Sequence, residues 1–169
     1  KHIARIVFAA MLVAGVAACA KKNVPPPPQV EEAPSSTTTQ QMETTGKYSR
    51  ESLDTDSCLR QRVIYFDLDR AEIKPEFQAQ VACHAAFLRQ FPEARVRLEG
   101  NADERGSREY NLGLGERRGN AVQSALSAAG ASSSQRFCVS SGAERPVCRQ
   151  HDESCWSKNR RVEIIYTAK

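Results

Sequence analysis

Two residues of opposite charge stand where they can act on one ligand. Asp103 lies in the segment NADERG, and Arg118 ends the segment LGERR fifteen positions later. A carboxylate binds an ammonium group, and a guanidinium binds a carboxylate through two parallel N–H donors, a geometry that lysine does not offer. Because a charge held away from water needs a partner of opposite sign, the pair suits a zwitterion. The sequence therefore predicts a site for a small, doubly charged ligand.

A strand, a turn and a helix must position these two side chains. Residues 95–99 alternate polar and apolar side chains, which predicts a strand with one buried face. The turn 101–106 follows, Ser107 or Arg108 begins a helix, and Gly130 ends it. The first amide groups of that helix are further donors for a ligand carboxylate.

Arg118 falls on the apolar face of that helix, four positions after Leu114 and four before Val122. An arginine on this face needs a partner, which favours a ligand-binding role over a solvated surface role. For Asp103 the alternative role is a cap of the turn. Three glycines in the helix each cost about 1 kcal/mol relative to alanine, a cost that close backbone approach would offset. They are Gly113, Gly115 and Gly119.

The remaining segments complete an α/β domain, in which strands alternate with helices that pack on one sheet. Another helix begins near Pro75, buries a face that includes His84, and ends before Pro92. We interpret His84 as a core histidine. Arg160 and Arg161 are expected to anchor the last strand through carboxylates. Strands are predicted at 62–66, 137–140 and 161–166, and a polar loop is predicted at 145–158.

The N-terminal part of the chain resembles a bacterial export signal. Residues 1–18 combine a basic front with an apolar run of 11 residues, which is too short to span a membrane. The segment VAAC, ending at Cys19, resembles the lipobox of lipoproteins whose cysteine is lipidated. In those lipoproteins, a residue other than aspartate after the cysteine, here Ala20, favours the outer membrane. Residues 19–57 are predicted to be a disordered tether rich in Pro, Ser and Thr, and residues 58–169 the folded domain.

The cysteines and the net charge restrict the class of protein. Five cysteines remain besides Cys19, so at least one is unpaired, and Cys148 and Cys155 are favoured as a disulfide because they close a short loop. Zinc binding is the alternative use of these thiols. Without residues 1–18, the 22 basic and 20 acidic residues leave a charge of +2, too balanced for a nucleic-acid-binding surface.

Four segments in order carry a family resemblance: YFDLD at 65–69, EGNADERG at 99–106, YNLGLGERR at 110–118 and SKNRRVEI at 157–164. Together they resemble the OmpA C-terminal domain family over about residues 60–167. The resemblance implies a β-α-β-α-β-β sandwich that binds peptidoglycan non-covalently, without catalysis and without a cofactor. Asn101 and Gly119 depart from the histidine and the alanine that are common at these places in the family.

The resemblance also implies a ligand, the peptide stem of peptidoglycan, bound mainly at meso-diaminopimelate. The far end of diaminopimelate carries an ammonium, which Asp103 would accept, and a carboxylate, which Arg118 would bind. Binding is expected to weaken below about pH 4, where an aspartate with an ordinary pKa protonates. The site residues inferred in this way are Asp103, Arg118, Asn111, Asp67, Phe66, Asn101, Arg105 and Leu114.

Lipid-anchored members of this family keep the outer membrane attached to the cell wall during division, together with the Tol system. The resemblance thus implies an outer-membrane lipoprotein that faces the periplasm, with TolB and other Tol proteins as partners. One alternative is a wall-binding lipoprotein outside the Tol system, and another is a cell-wall hydrolase. Glu104 beside Asp103 is a poor hydrolase pair, because adjacent side chains point apart. Asp67 and Asp69 would suit a metal or phosphoryl-transfer site, but no phosphate-binding glycine loop follows them.

Overall fold

The computed structural model describes residues 47–169. The predicted export signal, Cys19 and most of the predicted tether lie outside the described residues. The elements are α1 Ser52–Thr55, β1 Val63–Tyr65, α2 Gln78–Gln90, β2 Arg95–Asn101, α3 Arg108–Ala128, β3 Arg136–Gly142, α4 Glu153–Asn159 and β4 Arg161–Ala168. Short 3-10 turns, Pro75–Phe77 and Ser133–Gln135, precede α2 and β3. No helix in the described part of the chain is long and apolar enough to cross a membrane.

The four strands form one sheet in the order β1-β4-β2-β3. Strand β2 is parallel to β3 and antiparallel to β4, which also pairs antiparallel with β1. Helix α3 connects β2 to β3, as a parallel pair requires a crossover. The predicted α/β class and the β-α-β-α-β-β order are confirmed, with two short helices added, α1 before β1 and α4 before the last strand.

One hydrophobic core lies between the helices and the sheet. Val96 and Leu98 on β2 are fully buried, following the two-residue period of a strand. Phe87 of α2 and Val122 and Leu126 of α3 belong to the same buried cluster. Each fully buried side chain of this size contributes about 1.5–3 kcal/mol relative to its exposed state. This packing fixes α3 on the sheet and so holds the residues at its N-terminal half in place.

His84 is a core histidine, as predicted. It is fully buried, and its Nδ1 lies 2.9 Å from the Tyr166 hydroxyl while its Nε2 lies 2.9 Å from the carbonyl oxygen of Gln61. Burial lowers the pKa of His84, so the imidazole is neutral at pH 7. Both ring nitrogens are therefore satisfied inside the protein.

The folded domain begins before residue 58, which corrects the boundary predicted from composition. The ring of Tyr48 packs against that of Phe87 with centroids 6.1 Å apart, and Leu53 on α1 is fully buried. The backbone N–H of Tyr48 also donates to the side-chain oxygen of Gln90 at 3.1 Å. The prediction was wrong here because a mostly polar segment can be held by two apolar side chains that reach the core.

The segment 145–158 is not wholly a loop, because α4 begins within it. The Asp152 side chain caps this helix by accepting from the backbone N–H of Cys155 at 3.0 Å, and Cys155 itself is fully buried. An aspartate before a glutamate is a recognisable helix start. The prediction missed it because seven residues give too few turns for a clear apolar period.

Two disulfides stabilise the domain. Cys148 is joined to Cys155, as predicted, and Cys58 is joined to Cys83 on α2, a pairing that the sequence left open. Cys138 is the free cysteine within residues 47–169. Four of the five thiols that were candidate zinc ligands are therefore used in disulfides. The Cys148–Cys155 disulfide closes the loop that leads into α4, next to the candidate site.

Helix α3 lies very close to the sheet because glycines face it. A Cβ at Gly115 would stand 2.7 Å from the carbonyl oxygen of Gly100, and one at Gly119 would stand 2.1 Å from the Sγ of Cys138. Close backbone approach is thus confirmed at Gly115, whereas Gly119 leaves the room that the Cys138 side-chain sulfur occupies. Arg118 lies between the two glycines in sequence, and this approach sets it against the end of β2.

Candidate ligand-binding site

A small cleft lies where the end of β2 meets the first half of α3. Asp103 and Arg118 both line it, so the structure brings together the two charges that the sequence singled out. Three further candidates, Arg105, Asn111 and Leu114, line the same cleft. The remaining lining residues are Leu68, Asp69, Ala102 and Tyr110.

Arg118 is completely buried and is held by backbone carbonyl groups. Its Nε donates to the carbonyl of Arg70 at 2.7 Å, its Nη1 to that of Asn101 at 2.8 Å and its Nη2 to that of Asp67 at 3.0 Å. The ring of Phe66 lies 5.3 Å from the guanidinium carbon, which adds a cation–π contact. These contacts fix the orientation of the guanidinium with three of its five N–H donors.

The positive charge of Arg118 has no carboxylate partner in contact with it within residues 47–169. Burial, reinforced by the nearby Arg160 guanidinium, lowers the pKa of Arg118 to about 10, while Asp103 and Asp69 act in the opposite direction from a distance. The side chain therefore stays charged at pH 7. A buried cation that is solvated only by carbonyl oxygens is a favourable place for an incoming anion.

Asp103 is also buried, with only 4% of its surface exposed, but two arginines bind it. Arg105 donates from Nε to Oδ1 at 3.1 Å and from Nη2 to Oδ2 at 2.6 Å, and the backbone N–H of Arg105 donates to Oδ1 at 3.1 Å. Arg160 donates from Nη1 to Oδ2 at 3.2 Å. Asp103 thus caps its own turn, the alternative role foreseen for it, while it also faces the cleft.

These contacts lower the pKa of Asp103 below the ordinary value that the sequence alone suggests. Burial alone would raise the pKa of Asp103, but hydrogen bonds from Arg105 and Arg160 outweigh it and hold the pKa below the ordinary 3.8. A depressed pKa in the folded state stabilises the protein above the pKa of the unfolded chain, and that stability is lost as pH falls through the folded value. The loss of binding at low pH is therefore expected below the value of about pH 4 that an ordinary aspartate would give.

We expect the Cγ carbon resonance of Asp103 to titrate with a midpoint below 3.8, because its ion pairs must be broken when it protonates. Carbon-detected NMR of the labelled protein from pH 5 to pH 2 measures this midpoint directly. A midpoint at or above 3.8 would show that Arg105 and Arg160 do not hold the carboxylate in solution.

Two features give the turn between β2 and α3 its shape. Gly106 has φ +97°, a left-handed conformation that glycine adopts without strain. The Asn111 side chain donates from Nδ2 to the carbonyl of Arg105 at 3.0 Å, and Ser107 caps α3 by accepting from the backbone N–H of Tyr110 at 3.2 Å. Asn111, predicted as a ligand contact, therefore holds the turn that carries Asp103.

Three predicted site residues lie beside the cleft rather than in its lining. Phe66 is buried under Arg118, and Asp67 contributes its backbone carbonyl to that arginine. The Asp67 carboxylate is exposed and lies 3.8 Å from the Lys74 ammonium, and both Phe66 and Asp67 line a neighbouring groove. Asn101 is buried and likewise supports Arg118 through its carbonyl, while its side-chain Nδ2 donates to the carbonyl of Glu99 at 3.0 Å. These residues position Arg118.

Helix α4 closes one side of the site, a contribution that was not predicted from the sequence. Arg160 and Arg161 do pair with carboxylates as expected, but the partners of Arg160 are Asp103 and Glu153, so it belongs to the site. Trp156 on α4 lies 4.1 Å below the Arg105 guanidinium. The indication available in the sequence was the NRR motif at 159–161, which places two arginines at the start of the last strand.

Acidic residues near the cleft have partners that are not metals. Asp69 accepts from the Tyr110 hydroxyl, and Glu104 accepts from the indole N–H of Trp156 at 2.8 Å and lies 2.6 Å from His151 Nδ1. Within residues 47–169, no group of three or more His, Cys, Asp or Glu side chains is arranged to hold a metal ion. The arrangement offers paired charges for a ligand.

A model of the OmpA family matches residues 65–160 of the chain. This chain belongs to the OmpA family. Among its relatives, the peptidoglycan-associated lipoprotein of Pasteurella multocida is 43% identical over 121 residues, covering 72% of this chain and 78% of that protein. The peptidoglycan-associated lipoprotein of Pseudomonas aeruginosa is 47% identical over 114 residues, 67% of each protein. The resemblance carried by the four sequence segments is confirmed.

Solved structures agree with this family assignment. The crystal structure of the peptidoglycan-associated lipoprotein from Burkholderia pseudomallei is 42% identical, with a TM-score of 0.67 over 68% of this chain and 98% of that chain. The C-terminal domain of MotB from Helicobacter pylori, at 20% identity, has a TM-score of 0.56 over 63% of this chain and 84% of that chain, and shares the fold. The OmpA-like architecture of this member of the family is therefore confirmed.

Proposed function

We propose that this protein is an outer-membrane lipoprotein, anchored through Cys19, that binds peptidoglycan non-covalently at meso-diaminopimelate. Its domain faces the periplasm and tethers the outer membrane to the cell wall without catalysing a reaction. Its similarity to proteins named peptidoglycan-associated lipoproteins supports the association with the wall. The chemistry of the cleft supports diaminopimelate as the part of the wall that is bound.

One observation carries the choice of ligand. A fully buried guanidinium, Arg118, has two N–H donors without an acceptor in the described part of the chain and no carboxylate in contact, and it lines the same cleft as the carboxylate of Asp103. A ligand with a carboxylate and an ammonium on one carbon can satisfy both groups at once. Each charge-assisted hydrogen bond formed in this way contributes about 1.5–3 kcal/mol. The far end of meso-diaminopimelate has this pair of groups.

We expect Asp103→Asn to weaken binding to the cell wall by about tenfold, because one charge-assisted bond to the ammonium is lost. The measurement is sedimentation of the full-length protein with purified peptidoglycan sacculi over a range of sacculus concentrations. Glu109→Gln is the matched control, since Glu109 is an exposed carboxylate on the first turn of α3 that does not line the cleft.

Sedimentation of Asp103→Asn that equals the wild type would contradict the assignment of Asp103. The same sacculi test the hydrolase alternative, because soluble muropeptides released from them would show catalysis. The proposal predicts that none are released.

We further propose that the protein acts with the Tol system, including TolB, during cell division. The similarity to the Pasteurella and Pseudomonas lipoproteins motivates this proposal. Neighbouring genes that encode Tol proteins, together with binding of the full-length protein to purified TolB, would support it. A genome without Tol genes would favour a wall-binding lipoprotein outside that system.

A further inference from the structure

The carboxylate of Asp103 already has a full set of hydrogen bonds. Its two oxygens accept four of them, two from the Arg105 side chain, one from the Arg105 backbone and one from Arg160. A carboxylate offers about four acceptor positions. A ligand ammonium therefore cannot be added to Asp103 and must replace one of the present donors.

The two arginines on Asp103 differ in their freedom to leave. The side chain of Arg160 is 7% exposed, and it also donates from Nε to the carbonyl of Phe66 at 3.1 Å. The side chain of Arg105 is 34% exposed, and besides the buried Asp103 its side-chain partners are the exposed Glu153 and the ring of Trp156. Arg105 is therefore the donor that can be displaced without opening the core.

The charged groups of the cleft are also covered by neighbouring side chains in the free protein. Arg118 is fully buried, and Asp103, Asn111 and Leu114 are each at most 5% exposed, whereas Arg105 is the partly exposed cation among the lining residues. A ligand that reaches Asp103 and Arg118 must displace a covering side chain. The Arg105 side chain, which binds Asp103 on one side and solvent on the other, is in the position to be displaced.

Helix α4 offers a place for Arg105 once it leaves Asp103. Glu153 Oε2 lies 3.6 Å from Arg105 Nη2, and the Trp156 ring lies 4.1 Å from the guanidinium carbon. An exposed carboxylate and an aromatic face both stabilise a free guanidinium. The Cys148–Cys155 disulfide closes the loop that precedes this helix and keeps both partners near the turn.

We infer that Arg105 occupies the position of the ligand ammonium in the free protein and lowers the affinity of the cleft by competing for Asp103. This inference rests on the proposed function, and it reverses the role expected for Arg105 from the sequence, that of a ligand contact. A lone ammonium only exchanges one cation for another on Asp103. A zwitterion also brings a carboxylate to Arg118, so it displaces Arg105 with a net gain. The cleft therefore selects a stem peptide that ends in diaminopimelate over one that ends in lysine.

The test uses the full-length protein and two synthetic tripeptides, L-Ala-γ-D-Glu-meso-diaminopimelate and the same peptide with L-Lys as its third residue. We expect Arg105→Met to bind the diaminopimelate peptide about tenfold more tightly than the wild type, as for a binding-competent state that is about one tenth populated. The ratio of the two affinities should stay the same, because the displacement of Arg105 costs the same free energy for either peptide. Isothermal calorimetry gives both affinities, and Arg105→Gln is a second variant without the charge.

Arg108→Met is the matched control, because Arg108 is an exposed arginine three positions away that pairs with Glu144 outside the cleft. Its affinities should equal those of the wild type. The single tryptophan of the chain, Trp156, provides a second readout. Saturation with the diaminopimelate peptide should change Trp156 emission in the wild type, because Arg105 moves, and leave it nearly unchanged in Arg105→Met.

The outcomes separate this inference from the proposed function. Wild-type protein that binds the diaminopimelate peptide, with Arg105→Met and Arg105→Gln equally tight or weaker, would overturn the role of Arg105 and leave the proposed function standing. Absence of binding in the wild type and both variants would overturn the proposed function and this inference together. Tighter binding by both variants, with retained helical circular dichroism, supports it.

Discussion

Replacement of Arg118 by alanine is expected to lower the free energy of unfolding by about 3 kcal/mol or more and to abolish binding to the cell wall. Three backbone carbonyls, those of Asp67, Arg70 and Asn101, would lose a donor in a buried place. Each buried acceptor left unpaired costs about 1–3 kcal/mol, and the truncated side chain also leaves a cavity. Urea denaturation monitored by circular dichroism measures the stability, and sedimentation with sacculi measures the binding.

The adjacent residue provides the control for this prediction. Arg117 is exposed, and its guanidinium carbon lies over the face of Tyr110, 5.8 Å from the ring centroid. Arg117→Ala should change stability by no more than about 0.5 kcal/mol, as is usual for surface substitutions. Arg118→Lys should also lose much of the stability, since an ammonium cannot replace the planar fork that spans three carbonyls. Wild-type stability in Arg118→Ala would mean that these bonds do not hold the loop after β1 to α3.

Replacement of Gly100 by alanine is expected to destabilise the domain by about 3 kcal/mol or more. A Cβ at this position would stand 1.9 Å from the carbonyl oxygen of Gly115 and 2.7 Å from its carbonyl carbon. Both atoms belong to the backbone of α3, so no side-chain rotation relieves the contact. Helix α3 must move away from the sheet, which costs packing around the whole contact. The displacement also shifts Arg118 from the end of β2, so wall binding should fall with stability.

Gly113 is the matched control within α3. A Cβ there would meet only the flexible end of Arg117, at 3.4 Å. Gly113→Ala should therefore raise stability by about 0.5–1 kcal/mol, because alanine is a better helix former. Thermal and urea unfolding of the two variants measure the difference. Equal stability of Gly100→Ala and Gly113→Ala would contradict the close contact between β2 and α3.

The regular elements could be predicted because their periods are strong. Alternation at 95–99 and helical spacing from Leu114 to Val122 reproduce β2 and α3, and Gly130 lies just beyond the last turn of α3 at φ +93°. Placing Arg118 on the apolar face followed from that spacing alone, and the guanidinium is completely buried. Local rules were enough because backbone propensity and burial pattern agree in these segments.

Other parts of the fold depend on contacts between distant residues. Tyr48 and Leu53 join the core through α2 and its neighbours, and Cys58 reaches Cys83 across 25 positions. No local pattern marks these partners. The seven residues of α4 were missed because a short helix is stabilised by its cap and disulfide rather than by an apolar stripe.

The candidate site likewise has features that the sequence predicts and features that depend on contacts between distant residues. The types of charge at Asp103 and Arg118 predicted that a ligand of mixed charge would fit, and both residues line one cleft. The occupation of Asp103 by Arg105 could not be predicted, because it depends on the φ of Gly106 and on the aromatic surface that Trp156 supplies from α4. The charge of each side chain can be read from the sequence, whereas the pairing of Asp103 with Arg105 depends on how the folded chain brings them together.

A crystal structure of the protein with bound L-Ala-γ-D-Glu-meso-diaminopimelate would show whether the two charges of the cleft bind the zwitterion. We expect the far ammonium within hydrogen-bond distance of Asp103, the carboxylate on the same carbon facing the free N–H groups of Arg118, and Arg105 moved toward Glu153. A peptide whose far end lies in the neighbouring groove between Lys74 and Lys158, with Asp103 still bound to Arg105, would contradict this expectation.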